Sequence, residues 1–418
     1  MEGSRLSVAF LSPAWPLGAS ANGIVSYVDT IGEALRRQGH NPCVLARDMH
    51  EDNPPPDVFR AEARRSNFVR IYDRLFRFVD PLDAMRHGFA RGIVHAARLA
   101  IASRAVQLLE MEETFGLIQL VKPRVPIPII ARLHGPCFVV GATSGLPQNS
   151  AFYRRVRNEG RGIFTADAVS APSRDILERT RNYYRLPLAE AVVIPNPGPV
   201  VPDAERWSLE TCDHSRLLFV GRFDRTKGGD IAIDAFRIVA QRFPQVRLWF
   251  VGPDNGFNDE RQRRWTIREY IAERAPEVAH RIDWLDRQPN SALPELRRRA
   301  LVTIIASRYE TFSMVALEAA AYGSPIVATK VGGVAEIVSD GLNGILARPE
   351  DPDGLAAAIS SLLANPVYAA KLGHQAAVDA VRRYHPDTIA LQTVAFYRSV
   401  LDKVKNRTVG TPAKPSNV

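Results

Sequence analysis

Short apolar runs alternate along the chain with longer segments whose apolar positions recur every three or four residues. That is the pattern of strands and crossover helices building a parallel sheet. In the first half, residues 8–11, 42–46 and 127–134 read as strands, and residues 24–38 as an amphipathic helix closed by Gly39. After a Pro-rich segment at 192–205 (VVIPNPGPVVPDAE) the pattern starts afresh. Strands are expected at 217–220, 246–251, 282–285, 302–306 and 325–328, with helices at about 230–242, 264–274 and 313–322. The pattern predicts two doubly wound α/β domains, residues 1–200 and 201–385, with a cleft between them. A terminal helix at 386–405 returning to the first domain and a frayed tail at 406–418 complete the expectation.

Two stretches interrupt the first domain. Residues 49–60 (MHEDNPPPDVFR) read as a polar loop, and 60–113 as an Arg-rich, mostly helical insertion, broken near Pro81, ahead of a further strand at 117–121. Phe68, Tyr72, Leu75, Phe76 and Val79 share one face of its first helix, and Arg70, Arg74 and Arg77 the other. That segment fits an ordinary solvated helix, a membrane-surface helix or a nucleic-acid face; no stacking platforms or recognition helix support the last.

Of the 418 residues, 46% are hydrophobic and 24% charged, ordinary globular values that exclude intrinsic disorder and collagen-like repeats. Cys43, Cys137 and Cys212 are widely spaced and odd in number, so the chain reads as reduced and cytoplasmic, without a disulfide framework. The start MEGSRLSVAFLSPAW lacks the signal-peptide pattern, and no run approaches the roughly 20 apolar residues of a membrane span. The net charge of +9 favours a polyanionic partner: nucleic acid, a phosphorylated small molecule or an anionic lipid surface.

The richest chemistry lies in residues 307–344, SRYETFSMVALEAAAYGSPIVATKVGGVAEIVSDGLNG. A buried strand ends there in a loop carrying Glu310, and Ser313 caps a helix whose free amides at Thr311, Phe312, Ser313 and Met314 suit a phosphate. Glu318 follows one to two turns on, so two carboxylates able to hold vicinal hydroxyls flank one anion site, the anatomy of a nucleotide sugar. The plain alternative is that Glu310 is a solvated loop residue and Glu318 a surface one. In LLFVGRFDRTKGGD, residues 217–230, a strand runs into Gly221, Arg222 and then Lys227, a planar fork and a point charge that suit a diphosphate.

VGRFDRTKGG, YETFSMVALEAAAYGSPIVAT and VGGVAEIV together resemble the donor half of the GT-B glycosyltransferases, which consist of two Rossmann-like domains, specifically the retaining family numbered four. PLGASANGIVSYVDTIGEALRRQGH, ARLHGP, AVSAPS and VIPNPG extend the resemblance into the N-terminal half. The resemblance implies that Arg222 and Lys227 bind the donor diphosphate, Glu318 the ribose and Glu310 the transferred hexose. It places Gly23 beside the donor phosphates and His134 beside the transferred sugar, the alternative for His134 being a structural residue at a strand end. The family's first loop carries two glycines; here Asn22 precedes Gly23, and its tolerance of left-handed backbone would preserve the turn. Glu336 reads either as a cap of the short helix AEIV or as a donor-side carboxylate.

The expected activity is metal-independent, retaining transfer of a hexose from a UDP- or GDP-sugar co-substrate to a hydroxyl of a glycan or lipid-linked acceptor, without cofactor. This would serve cell-surface polysaccharide or glycolipid synthesis, on a protein peripheral to the inner face of the cytoplasmic membrane. A nucleotide-sugar epimerase or hydrolase, or a non-catalytic binding protein, would use the same donor pocket. Asp351 and Asp353 resemble a metal motif but precede the helical run GLAAAISSLL, where Asp351 is expected to cap.

Overall fold

The computed structural model describes residues 5–18, 22–63 and 81–409. The Phe68 to Val79 face and its arginines lie outside the described residues.

Two parallel sheets form the frame. The first takes β1 (Ser7–Trp15), β2 (Asn41–Met49), β3 (Val58–Arg60), β4 (Leu108–Glu112), β5 (Ile129–Arg132), β6 (Ala168–Ala171) and β7 (Val192–Val193), in the order β3-β2-β1-β4-β5-β6-β7. After it come β8 (Asp213–Val220), β9 (Arg247–Val251), a small hairpin of β10 (Phe257–Asn258) and β11 (Arg264–Trp265), β12 (Ile282–Trp284), β13 (Ala300–Ile305), β14 (Ile326–Thr329) and β15 (Ile345–Ala347). The second sheet has the order β12-β9-β8-β13-β14-β15. Most strands are largely apolar because helices cover both sheet faces, so alternate residues enter different cores. Ala9, Leu11, Leu45, Leu109 and Met111 pack with helix Pro81–Arg104, while Val8, Phe10, Val44 and Leu108 pack with helices Gly23–Arg37 and Pro386–Val409.

One expected element is corrected. Residues 117–121 form no strand: Ile118–Val121 is a short helix, and the central strand is LLEME, Leu108–Glu112, inside the stretch expected to be helical. The acidic residues of that strand are buried with partners. Glu110 accepts hydrogen bonds from the hydroxyls of Tyr27 and Tyr397, each 2.8 Å, and Glu112 pairs with Arg47 at 3.0 Å. The polar loop also yields its last residues to the edge strand β3.

In each sheet the strand order reverses at one point, between β1 and β4 and between β8 and β13. Open α/β sheets bind ligands outside the carboxyl ends of strands at such points. The two reversals face each other across a cleft bridged by several contacts. Ser173 Oγ donates to Thr311 O (2.7 Å), the Tyr309 hydroxyl to Asp175 Oδ2 (2.8 Å), and Arg287 Nη2 to Gly18 O (2.8 Å).

Candidate active site

The cleft between the domains has a volume of about 790 Å³. Its lining brings together Gly23 and His134 from one domain with Gly221, Arg222, Lys227, Glu310, Thr311, Phe312, Met314 and Glu318 from the other.

In the second domain β8 delivers Gly221 and Arg222 into a loop that ends at Gly228. Gly228 has φ +65°, and an added Cβ would collide with the carbonyl of Ala306, so this residue alone lets the loop lie against the next one. Asp224 organises both cations: it accepts from Arg222 Nε (2.6 Å) and from the backbone amide of Lys227 (2.8 Å). The terminal nitrogens of Arg222 have no hydrogen-bond partner among the described residues. Lys227 Nζ donates to Glu310 Oε1 (2.6 Å), which also accepts from Ser307 Oγ (2.8 Å). An ammonium has three protons, so two remain for a ligand. Arg308 ties the two loops, donating to both oxygens of Asp230 (2.9 and 2.7 Å) and to the carbonyl of Arg225 (2.8 Å).

Helix Met314–Tyr322 starts at the cleft. Ser313 lies buried beneath the lining as its N-cap, its Oγ accepting from Ala316 N (3.3 Å). The amides of residues 311–314 have no hydrogen-bond partner among the described residues and sit at the positive end of the helix dipole. Glu318 forms an ion pair with Arg297, whose side chain is 2% exposed. The acid therefore stands at the cleft with a fixed orientation.

Across the cleft, Asn22 has φ −124°, not the left-handed conformation its identity suggested. Instead its side chain caps helix Gly23–Arg37 by accepting from Ile24 N (2.9 Å). A Cβ at Gly23 would meet Met314 Cγ at 3.6 Å, an ordinary contact, so the glycine marks where the first helix meets the second domain. The His134 ring lies edge-on to Tyr27, 5.2 Å between centroids. Burial, with the charge of Arg132, pushes its imidazole well below the usual range, which keeps it neutral at pH 7.

Glu336 is placed elsewhere. It neither lines this cleft nor caps its own helix. Its carboxylate accepts from the backbone amides of Arg174 (3.0 Å) and Asp175 (2.9 Å), capping helix Arg174–Tyr184 of the opposite domain. Asp351 caps helix Pro352–Ala364 through Gly354 N (2.8 Å). Among the described residues no three His, Cys, Asp or Glu side chains gather as a metal site. Asp224, Arg297 and Arg308 were not singled out from sequence. Their roles depend on which loops meet, and a lone acid or arginine in a polar run carries no signal of that.

Two family models cover most of the chain: the glycosyl transferases group 1 model matches residues 204–379, and the glycosyltransferase family 4 model residues 21–197. A D-inositol 3-phosphate glycosyltransferase of Nocardiopsis dassonvillei is 30% identical over 255 residues, 59% of either chain, so the match spans under two thirds of that relative. Among solved structures, sucrose-phosphate synthase from Thermosynechococcus elongatus superposes with TM-score 0.71 at 24% identity, over 96% of this chain and all of that one. The Anabaena protein HepE, solved in complex with UDP and glucose, superposes with TM-score 0.66 at 19% identity, over 94% of this chain and all of its own.

Proposed function

The chain belongs to the group 1 glycosyltransferases and has their GT-B fold, and on that footing we propose that it moves a hexose from a UDP- or GDP-sugar to an acceptor hydroxyl with retention of configuration. The observation that carries the proposal is the convergence of Arg222, Lys227 and the unpartnered amides of residues 311–314 on one end of the cleft, between Glu310 and Glu318. A diphosphate gathers negative charge as the glycosidic bond breaks, and donors fixed in advance favour that state over the bound substrate.

In the proposed step the bond between the anomeric carbon and the diphosphate oxygen breaks, and the acceptor oxygen bonds to that carbon on the same face. The acceptor's proton passes to the departing phosphate. Arg222 and Lys227 supply the charge that a divalent ion supplies elsewhere, so the reaction proceeds without metal. Lys227 and Ser307 hold Glu310 toward the hexose, the Arg297 pair aims Glu318 at the ribose, and neutral His134 offers a polar contact to the transferred sugar. The acceptor is assigned to glycans or lipid-linked glycans of the cell surface, and the protein to the inner face of the cytoplasmic membrane, which the net charge of +9 supports.

A melting-temperature screen against UDP-, GDP- and ADP-sugars tests the donor assignment. A UDP- or GDP-sugar should raise the melting temperature, and proton NMR of its transfer product should show the donor's anomeric configuration. Free sugar or an epimer formed without acceptor would instead favour a hydrolase or epimerase.

A further inference from the structure

Beneath His134 lie two carboxylates with no part in the steps above. Glu113, directly after β4, is fully buried, and its two oxygens accept from the amides of Gly135 (2.7 Å) and His134 (2.9 Å). Glu159, on helix Ser150–Thr165, is equally buried and accepts from Cys137 N (2.7 Å), Phe115 N (3.2 Å) and Arg155 Nε (2.9 Å). Position 136 is proline, so every backbone donor from 134 to 137 ends on one of these two acids. Thr114, next to Glu113, lines the cleft itself.

Burying two acids beside one arginine is an expensive way to hold a loop, since amides can be satisfied by neutral acceptors. What a carboxylate adds is two acceptor oxygens in one plane; a glutamine would present one oxygen and turn an NH2 group toward the second amide. We propose that Glu113 is a positioning residue for transfer, fixing the His134 imidazole against the reacting sugar through the amides of His134 and Gly135. This rests on the reading of His134 as a sugar contact.

Burial, reinforced by Glu159, pushes the Glu113 carboxyl up to about 8. Burial raises Glu159 too. The other groups facing Glu113 hold their charge state near that pH. Tyr184 and Cys137 are kept neutral by burial, His134 is neutral, and Arg155, despite burial, is kept charged by Glu159. Glu113 therefore completes its charge, and with it both acceptor positions, as pH rises through about 8.

The test compares wild type, Glu113→Gln, Glu113→Asp, His134→Ala and the Glu113→Gln/His134→Ala double variant. The donor is whichever UDP-, GDP- or ADP-sugar gives the largest melting shift. At pH 9 Glu113→Gln should lower kcat about tenfold or more and leave donor KM within about twofold, and it should flatten the rise of kcat between pH 7 and 9. Glu113→Asp keeps both oxygens, so it should retain that rise at reduced kcat, and it decides the matter if the Gln variant does not fold. In the His134→Ala background, Glu113→Gln should add less than about a twofold loss. Wild-type kcat in Glu113→Gln beside an impaired His134→Ala, or losses that multiply in the double variant, would overturn the positioning role alone. Wild-type kcat in His134→Ala would remove the sugar contact and the role built on it.

Discussion

Glu318→Ala is expected to destabilise the donor domain as well as weaken donor binding. Its partner Arg297 has a side chain 2% exposed on helix Leu293–Arg299, and Arg297 Nε has no hydrogen-bond partner among the described residues. Removing one member of a buried pair strands the other charge, at about 3–5 kcal/mol. The Glu318 side chain is 29% exposed, so water reaches that end of the pair and the loss reduces to about 2–3 kcal/mol. At about 2–4 °C per kcal/mol for a domain of this size, the melting point should fall by about 4–12 °C. Arg297→Met in the same chain removes the stranded charge and fills its volume, so the double variant should recover most of the loss. Calorimetry of the three proteins with and without nucleotide separates the two roles. A nucleotide at a hundred times its Kd adds about 2.7 kcal/mol to wild type. That gain should be missing from both variants lacking Glu318, including the stable one. A Glu318→Ala protein melting with wild type, or a double variant as unstable as the single, would refute the argument.

Arg222→Ala should slow turnover by about 100- to 1000-fold at unchanged melting temperature, because Asp224 Oδ2 is its one hydrogen-bond acceptor among the described residues. Lys227→Ala should show a similar kinetic loss together with about 1–3 kcal/mol of destabilisation, since buried Glu310 keeps Ser307 but loses its cation; chemical denaturation separates the two cases. Turnover in excess EDTA should stay within about twofold of the untreated enzyme, and a metal-reversible loss would contradict the leaving-group assignment. Glu113 is raised above the ordinary glutamate value, so its contribution to stability is full in acid and lost as pH rises through about 8. Glu113→Gln should therefore lose less stability than wild type between pH 6 and 9, read from denaturant midpoints.

The strand and helix pattern was legible because most elements are either continuously apolar or clearly amphipathic. The loops that bring Arg222, Lys227, Glu310 and Glu318 to the cleft were legible because these residues sit at fixed offsets from recognisable strand and helix ends. LLEME failed for the opposite reason. Two acids in five residues argue against a central strand unless their partners are known, and Tyr27 and Tyr397 lie 83 and 287 positions from Glu110. The run LIQLV at 117–121 is apolar and too short for its period to separate strand from helix. For Glu336 both readings looked within its own domain, whereas the amides it holds are 161 and 162 positions away. Asn22 was recognised as unusual, but its side chain could serve a cap as well as a turn, and the helix start decided for the cap.

Helix Pro386–Val409 places Ile389, Val394, Tyr397 and Val400 on the sheet that the first residues of the chain begin, and Tyr397 supplies half of the hydroxyl cover of Glu110. During synthesis the N-terminal sheet emerges before this helix and must wait, with part of one apolar face and half of the Glu110 cover missing, until residues 386–409 leave the ribosome. The donor domain, whose core is drawn from residues 201–384, has its core complete before then. The half made first is thus completed after the other, and it is the one a chaperone would have to shield.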